Sequence, residues 1–218
     1  MPFHGFARTS EFVCESIKQD EVTFYLRDNE HTFAIYPFKF ELRITYRIDA
    51  DSIIIENEIK NKGAVTMPYA LGRHDSFVLD KPLENYKLCF PLDEDFLSQQ
   101  CDKSGRLINL YYDFGSGREL VIPSDYLIDG QTLIFGNINS DYLTLKTVDN
   151  RPIARFFFGK VSNVLFWRPN FSQMICIDPW TALPDSADEY NIDCLKKTRL
   201  SLLKADGTEV IRFGIKMF

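Results

Sequence analysis

The sequence has 218 residues, of which 45% are hydrophobic and 14% aromatic, and its formal net charge is −6. This length and an even composition fit one globular domain over residues 1–218 with a substantial core. The acidic balance, without a Lys/Arg cluster, argues against a nucleic-acid partner. No apolar run is long enough to span a membrane.

The five cysteines are scattered and form no C-x-x-C pair, which argues against a zinc site. An odd, scattered set is typical of reduced thiols in a cytoplasm. The first residues contain neither a basic region nor an apolar stretch, so no signal peptide is predicted. We therefore expect a cytoplasmic protein without a metal ion.

The first half of the chain predicts antiparallel strands. Residues 1–15 are predicted as a loop entering a strand, and a strand over 22–27 leads into a polar turn. Residues 40–48 alternate strictly between apolar and polar side chains, which predicts a strand with one wet face. Residues 53–59 follow after a turn and complete a hairpin.

The second half predicts further short strands. Pro68 places a strand over 64–71 at a sheet edge or a bulge, and residues 92–106 are predicted to be polar and irregular. The remaining strands are predicted at 132–136, 142–147, 153–158, 164–167, 173–177, 199–204 and 210–216. The turn at Asp206-Gly207 predicts a tight hairpin between the last two strands. Residues 185–196 are the only helical candidate, so we predict an all-β, antiparallel, two-sheet β-sandwich.

The stretch Cys176-Ile177-Asp178-Pro179-Trp180 places a carboxylate at the end of an apolar strand. Pro179 ends the ladder of hydrogen bonds, and Trp180 can stack on a sugar ring while Asp178 takes a hydroxyl proton. The alternative interpretation is that Asp178 caps a turn and Trp180 fills the core.

Two of the three histidines lie near a glycine and precede a phenylalanine. They are His4, in His4-Gly5-Phe6, and His74, in Gly72-x-His74-x-x-Phe77. Glycine allows close approach of the backbone to a ligand. Two half-buried histidines bonded to the backbone remain an alternative, and so does a metal site made of two histidines and a carboxylate, although no H-x-D/E pattern supports it. We interpret His31, in a polar turn, as a surface residue.

Together these stretches resemble the aldose 1-epimerase, or galactose mutarotase-like, family, and in particular its bacterial branch of shorter mutarotase-related proteins. The matching segments are His4-Gly5-Phe6-Ala7-Arg8, Tyr36-Pro37-Phe38-Lys39-Phe40-Glu41-Leu42, Met67-Pro68-Tyr69, Gly72-x-His74-x-x-Phe77, Cys176-Ile177-Asp178-Pro179-Trp180 and Leu183-Pro184-Asp185-Ser186. The resemblance implies a large β-sandwich, the supersandwich, that binds sugar on a concave sheet.

The resemblance also implies roles for individual residues. His74 falls on the family's general acid, and Asp178 falls on its general base, which is usually glutamate. His4 falls on a histidine that binds sugar hydroxyls. Further candidates for the sugar site are Arg8, Arg73, Phe77 and Trp180. A carboxylate and an imidazole can open and close an aldose ring by proton transfer without a cofactor.

Two departures from the family pattern bear on activity. Aspartate is one methylene shorter than glutamate, and a displacement of about 1 Å can lower a rate roughly a hundredfold. In the family, a leading segment of several strands precedes the H-G-F-A-R motif and supplies an arginine to the sugar site. We expect this chain to lack that segment, with Arg73 as the candidate replacement, although adjacent strand residues point to opposite faces.

These observations leave three functional hypotheses. The first is a mutarotase acting on a free or modified monosaccharide, and the second is a sugar-binding protein without turnover. The third, a hexose-phosphate epimerase, would need more basic residues than Arg8 and Arg73 near the motifs. Without the leading strands a sheet edge would be uncovered, so we expect low or absent mutarotase activity, retained weak sugar binding and self-association through that edge, for example as a homodimer.

Overall fold

The computed structural model describes residues 4–123, 125–128, 131–170, 172–188 and 193–218. These residues contain fifteen strands and one α-helix of six residues, so the predicted all-β class is confirmed. Among them, no helix is long and apolar enough to cross a membrane. The contacts divide the chain into two compact units, and the expectation of a single domain stays a prediction.

The first unit comprises the described residues up to Tyr69 together with Leu202–Lys216. Five antiparallel strands of this unit are neighbours in a nine-stranded sheet, in the order β1-β2-β3-β4-β15. Strands β5 and β14 pair with each other in a separate two-stranded sheet. The bounds of these elements are β1 Val13–Ile17, β2 Glu21–Arg27, α1 Glu30–Ile35, β3 Phe40–Asp49, β4 Ser52–Asn61, β5 Met67–Tyr69, β14 Ser201–Leu203 and β15 Thr208–Met217.

Most strand predictions in this unit are confirmed, with three corrections. The predicted polar turn after β2 contains α1, which Asn29 caps through a reciprocal pair of hydrogen bonds with Thr32. The strand predicted over 64–71 is only three residues long. The turn at Asp206 forms, but β14 pairs with β5 rather than with β15, so the predicted hairpin is wrong.

Aromatic residues from two motif segments meet in the first unit. The rings of Phe6, Tyr36, Phe38 and Phe40, here called the aromatic cluster, have neighbouring centroids 4.9–5.9 Å apart. The Tyr36 hydroxyl donates a 2.6 Å hydrogen bond to the carbonyl of Pro68. The motifs in this unit therefore build a packed core around β3.

The second unit, Ala70–Ser201 with Met217–Phe218, contains a four-stranded antiparallel sheet and four neighbouring strands of the nine-stranded sheet, which pack on each other as a sandwich. The site sheet has the order β6-β13-β12-β9, and the opposing sheet has the order β11-β10-β7-β8. Phe77 of the site sheet packs edge-to-face on Phe156 of the opposing sheet, with ring centroids 4.4 Å apart. The bounds are β6 Asp75–Val78, β7 Tyr86–Cys101, β8 Leu107–Leu120, β9 Leu133–Phe135, β10 Tyr142–Thr147, β11 Pro152–Phe157, β12 Asn163–Trp167 and β13 Met174–Trp180.

The prediction of an irregular segment over 92–106 is wrong for residues 92–101, which belong to the long strand β7, and holds only for residues 102–106, which connect β7 to β8. Polar residues misled the prediction. Glu94, for example, is buried in β7 and accepts hydrogen bonds from the backbone N–H groups of Asn139 and Ser140. Its carboxylate stabilises a loop instead of facing water. Part of the helical candidate at 185–196 lies outside the described residues, and the described part contains a short 3-10 turn, Cys194–Lys196.

Candidate active site

The pairing of β6 with β13 brings His74 opposite Asp178. In this antiparallel register Asp75 faces Ile177 and Ser76 faces Cys176, and Gly72 bridges to Trp180. The next position in the same register places His74 directly across from Asp178. Because side chains directly opposite each other are nearest neighbours in a sheet, the register itself creates their contact.

His74 and Asp178 form a direct hydrogen-bonded ion pair. His74 Nδ1 lies 2.8 Å from Asp178 Oδ2. Asp178 is 2% exposed, whereas the His74 side chain is 42% exposed. The imidazole therefore forms the accessible part of the pair, and the carboxylate lies beneath it.

The environment shifts the protonation of both groups. The hydrogen bond to Asp178, and then the one to Cys176, raise the pKa of His74 from 6.5 to about 10, although partial burial opposes them. Burial raises the pKa of Asp178 above its ordinary value, and the interaction with His74 opposes that shift. At neutral pH the imidazole is therefore held in its protonated, proton-donating form.

Aromatic rings flank the pair. The Trp167 ring, at the end of β12, has its centroid 5.6 Å from that of His74. Trp180 is half-buried, and its Nε1 donates a 3.1 Å hydrogen bond to the carbonyl of Arg73. Sequence reasoning missed Trp167, because its position opposite Cys176 follows only from the register of β12 against β13.

Gly72 leaves space for the ring of Trp180. A Cβ atom at Gly72 would lie 2.3 Å from Trp180 Cδ1. Only glycine therefore lets the chain approach the indole ring this closely. The sequence predicted a close approach to a ligand, and the structure shows a close approach to Trp180.

The other candidate residues of the second unit have different surroundings. The Arg73 guanidinium makes a bidentate pair with Asp75, at 2.6 and 3.1 Å. Phe77 packs between the two sheets on Phe156. The structure thus pairs His74 with Asp178 and places Trp180 two residues beyond Asp178 on β13, while Arg73 pairs with Asp75 and Phe77 packs on Phe156.

His4 and Arg8 belong to the first unit. Both are exposed, and His4 has a left-handed backbone with φ 61°, which is uncommon for a residue with a side chain. Phe6, between them, joins the aromatic cluster. Their participation in the sugar site stays a prediction.

A family model described as aldose 1-epimerase matches residues 1–197. The chain belongs to the aldose 1-epimerase family. Two curated relatives in this family, the plasmid-encoded and chromosomal LacX proteins of Lactococcus lactis subsp. lactis, are each 28% identical to the chain over 197 residues. The matched region covers 87% of the chain and 66% of each relative, so the chain spans slightly less than two thirds of their length.

Solved structures of aldose 1-epimerase relatives share the fold. A galactose mutarotase related enzyme from Lactobacillus acidophilus aligns with a TM-score of 0.87 at 25% identity, covering 99% of this chain and 73% of that one. A galactose mutarotase-like protein from Lactobacillus casei aligns with a TM-score of 0.90 at 23% identity, covering 100% and 76%. The family and fold implied by the sequence motifs are thereby confirmed.

Proposed function

We propose that this protein is an aldose 1-epimerase that interconverts the α and β anomers of a free or modified monosaccharide. The observation that carries this proposal is the 2.8 Å contact between His74 Nδ1 and Asp178 Oδ2 within two motifs of the family. A positioned imidazole next to a carboxylate is a common arrangement for acid–base catalysis. Such a site is identified first by the distance between its groups and only then by their pKa values.

The reaction needs one net proton transfer. His74 donates a proton to the ring oxygen O5 as the bond between C1 and O5 breaks, with its electron pair going to O5. The proton of the C1 hydroxyl leaves to a base as the C1 aldehyde forms. Rotation about the C1–C2 bond and reversal of these steps close the ring on the other face, and no cofactor is consumed.

Trp180 is the candidate for stacking on the sugar ring, since its indole is half-buried and fixed by the hydrogen bond to the Arg73 carbonyl. His4 and Arg8 are the candidates from the first unit for binding hydroxyl groups. Arg73 uses Nε and one terminal nitrogen to bind Asp75, so its other N–H groups are the ones that could bind a sugar hydroxyl. A homodimer stays a prediction, to which the exposed Ile17 on the end strand β1 would contribute.

A second candidate function is sugar binding without turnover. It is favoured by the burial of Asp178, which places this carboxylate out of direct reach of a sugar hydroxyl. In that case the site would hold the sugar through aromatic stacking and hydrogen bonds alone.

Polarimetry separates the two candidates. Single anomers of a panel of aldoses are dissolved freshly, and their relaxation is followed with and without the protein. Faster relaxation of at least one sugar supports the epimerase. Unchanged relaxation with a calorimetric binding signal supports the second candidate, and the absence of both signals contradicts both proposals.

A further inference from the structure

We propose that Asp178 is a positioning residue, which acts on the sugar only through His74, and that the single imidazole of His74 performs both proton transfers. This inference rests on the proposed function and assigns the carboxylate a role other than the base role implied by the family resemblance.

The burial of Asp178 is the first observation. Its carboxylate is 2% exposed, and Oδ1 is buried without a hydrogen-bond partner among the described residues. A direct base must come within hydrogen-bond distance of the hydroxyl proton that it removes. Oδ1 is closed to solvent in this structure, so a sugar hydroxyl would reach it only if the surrounding side chains moved.

The direct contact between the two side chains is the second observation. With 2.8 Å between His74 Nδ1 and Asp178 Oδ2, no sugar atom fits between acid and carboxylate. The Nδ1–H group of His74 donates to the carboxylate, which fixes the orientation of the ring and assigns Nε2 to the sugar. This is the role that a carboxylate behind a catalytic histidine plays in other acid–base sites.

One imidazole can complete the proton balance. His74 Nε2 gives its proton to O5 while the electron pair of the C1–O5 bond moves to O5. The neutral Nε2 then takes the proton from the O1 hydroxyl as the C1=O1 double bond forms. O1 and O5 are both bonded to C1, so one nitrogen can serve both, and the imidazolium is regenerated.

The charges around the His74 ring favour its protonated form, in which the reaction starts. Within the second unit, β13 presents Asp178 and the Cys176 thiol to His74, and the chain beside His74 carries the Arg73–Asp75 ion pair. The residue of β12 beside the ring is the uncharged Trp167. Removing the charge of Asp178 should therefore lower the pH at which His74 loses its proton, while the other side chains around the ring stay in place.

The test is the Asp178→Asn variant, whose amide oxygen can still accept the hydrogen bond from Nδ1. Because the pKa of His74 should return toward 6.5, kcat/KM should fall about 30-fold at pH 8 but less than about threefold at pH 5.5. Asp80→Asn is the matched control, because Asp80 also accepts a side-chain hydrogen bond, from the Tyr86 hydroxyl. This control should keep the wild-type pH profile.

A second measurement covers the case of a protein that turns over no aldose. The chain has three histidines, so NMR can follow the titration of the His74 ring directly. Its midpoint should fall by more than one pH unit in Asp178→Asn and stay constant in Asp80→Asn.

Two results would overturn the inference. One is an equal loss, of a hundredfold or more, at both pH values in a folded Asp178→Asn protein, which identifies a direct base. The other is an unchanged midpoint of His74 in that variant. Inactivity of the wild-type protein toward every aldose would instead contradict the proposed function, and the NMR midpoint would then decide the inference alone.

Discussion

The aromatic cluster of the first unit and the His74–Asp178 pair of the second unit both form where family motifs meet. In the aromatic cluster the motif residues contribute rings, and Phe40 is 5% exposed. In the pair they contribute an exposed imidazole and a buried carboxylate at 2.8 Å. The comparison shows that family motifs can have two different roles. The residues of the aromatic cluster pack the fold, whereas the residues of the His74–Asp178 pair can transfer protons.

The first prediction tests whether the aromatic cluster stabilises the first unit. Phe40→Ala should lower the free energy of unfolding by about 3–5 kcal/mol, since it removes a buried ring and leaves a cavity. Urea unfolding followed by circular dichroism measures this loss.

Phe33→Ala is the matched control, because Phe33 is 46% exposed and its loss should cost about 0.5 kcal/mol or less. Equal stability losses in the two variants would show that the aromatic cluster does not hold the first unit together. The turnover per folded molecule of Phe40→Ala should stay close to that of the wild type.

A smaller loss of stability is expected for a substitution next to the His74–Asp178 pair. Gly72→Ala should cost about 1–3 kcal/mol, because the new methyl group overlaps the Trp180 ring and the indole must move. The chain has two tryptophans, Trp167 and Trp180, so tryptophan fluorescence reports on this site specifically.

Gly63→Ala serves as the control, since the nearest neighbour of its added Cβ is Asn61 Oδ1 at 3.4 Å. It should leave the fluorescence spectrum unchanged. An unchanged spectrum in Gly72→Ala would mean that glycine is not required beside Trp180.

The sequence predicted β3 and β4 of the first unit and the short strands β9 to β13 of the second unit, but not the long strands β7 and β8. Strict alternation over residues 40–48 determines a strand, because only one face of β3 can be buried. The same reasoning failed for β7, where buried polar residues such as Glu94 are satisfied by hydrogen bonds from a loop 45 residues away. Single-sequence patterns contain no information on such distant partners.

The candidate site was predictable in its residues but not in its geometry. The motifs identified His74, Asp178 and Trp180. The direct contact between the first two depends on the register of β6 against β13, which are about 100 residues apart along the chain. A shift of one residue in this register would send one of the two side chains to the opposite face of the sheet.

The smallest expected effect is a pH dependence of stability. The pKa of His74 is higher in the folded protein, about 10, than its unfolded value near 6.5. The folded state therefore binds more protons between these values, so this stabilisation is complete below pH 6.5 and is lost as the pH rises through about 10. Because the side chain is 42% exposed, solvent screening should limit the change to about 1 kcal/mol.

Urea unfolding at pH 6.5, 8 and 9.5 measures this change. His74→Asn should show a flatter pH dependence than the wild type over this range. A slope identical to that of the wild type would mean that the pair does not perturb His74.

The most direct test of the central claim, that His74 is the proton donor of the site, compares His74→Asn with His31→Asn by polarimetry. His31 is exposed on α1 in the first unit, so its replacement should leave mutarotation at the wild-type rate. His74→Asn should lower kcat/KM by about 10²–10⁴-fold in a protein that remains folded. Near wild-type anomerisation of every active sugar by His74→Asn would contradict the account.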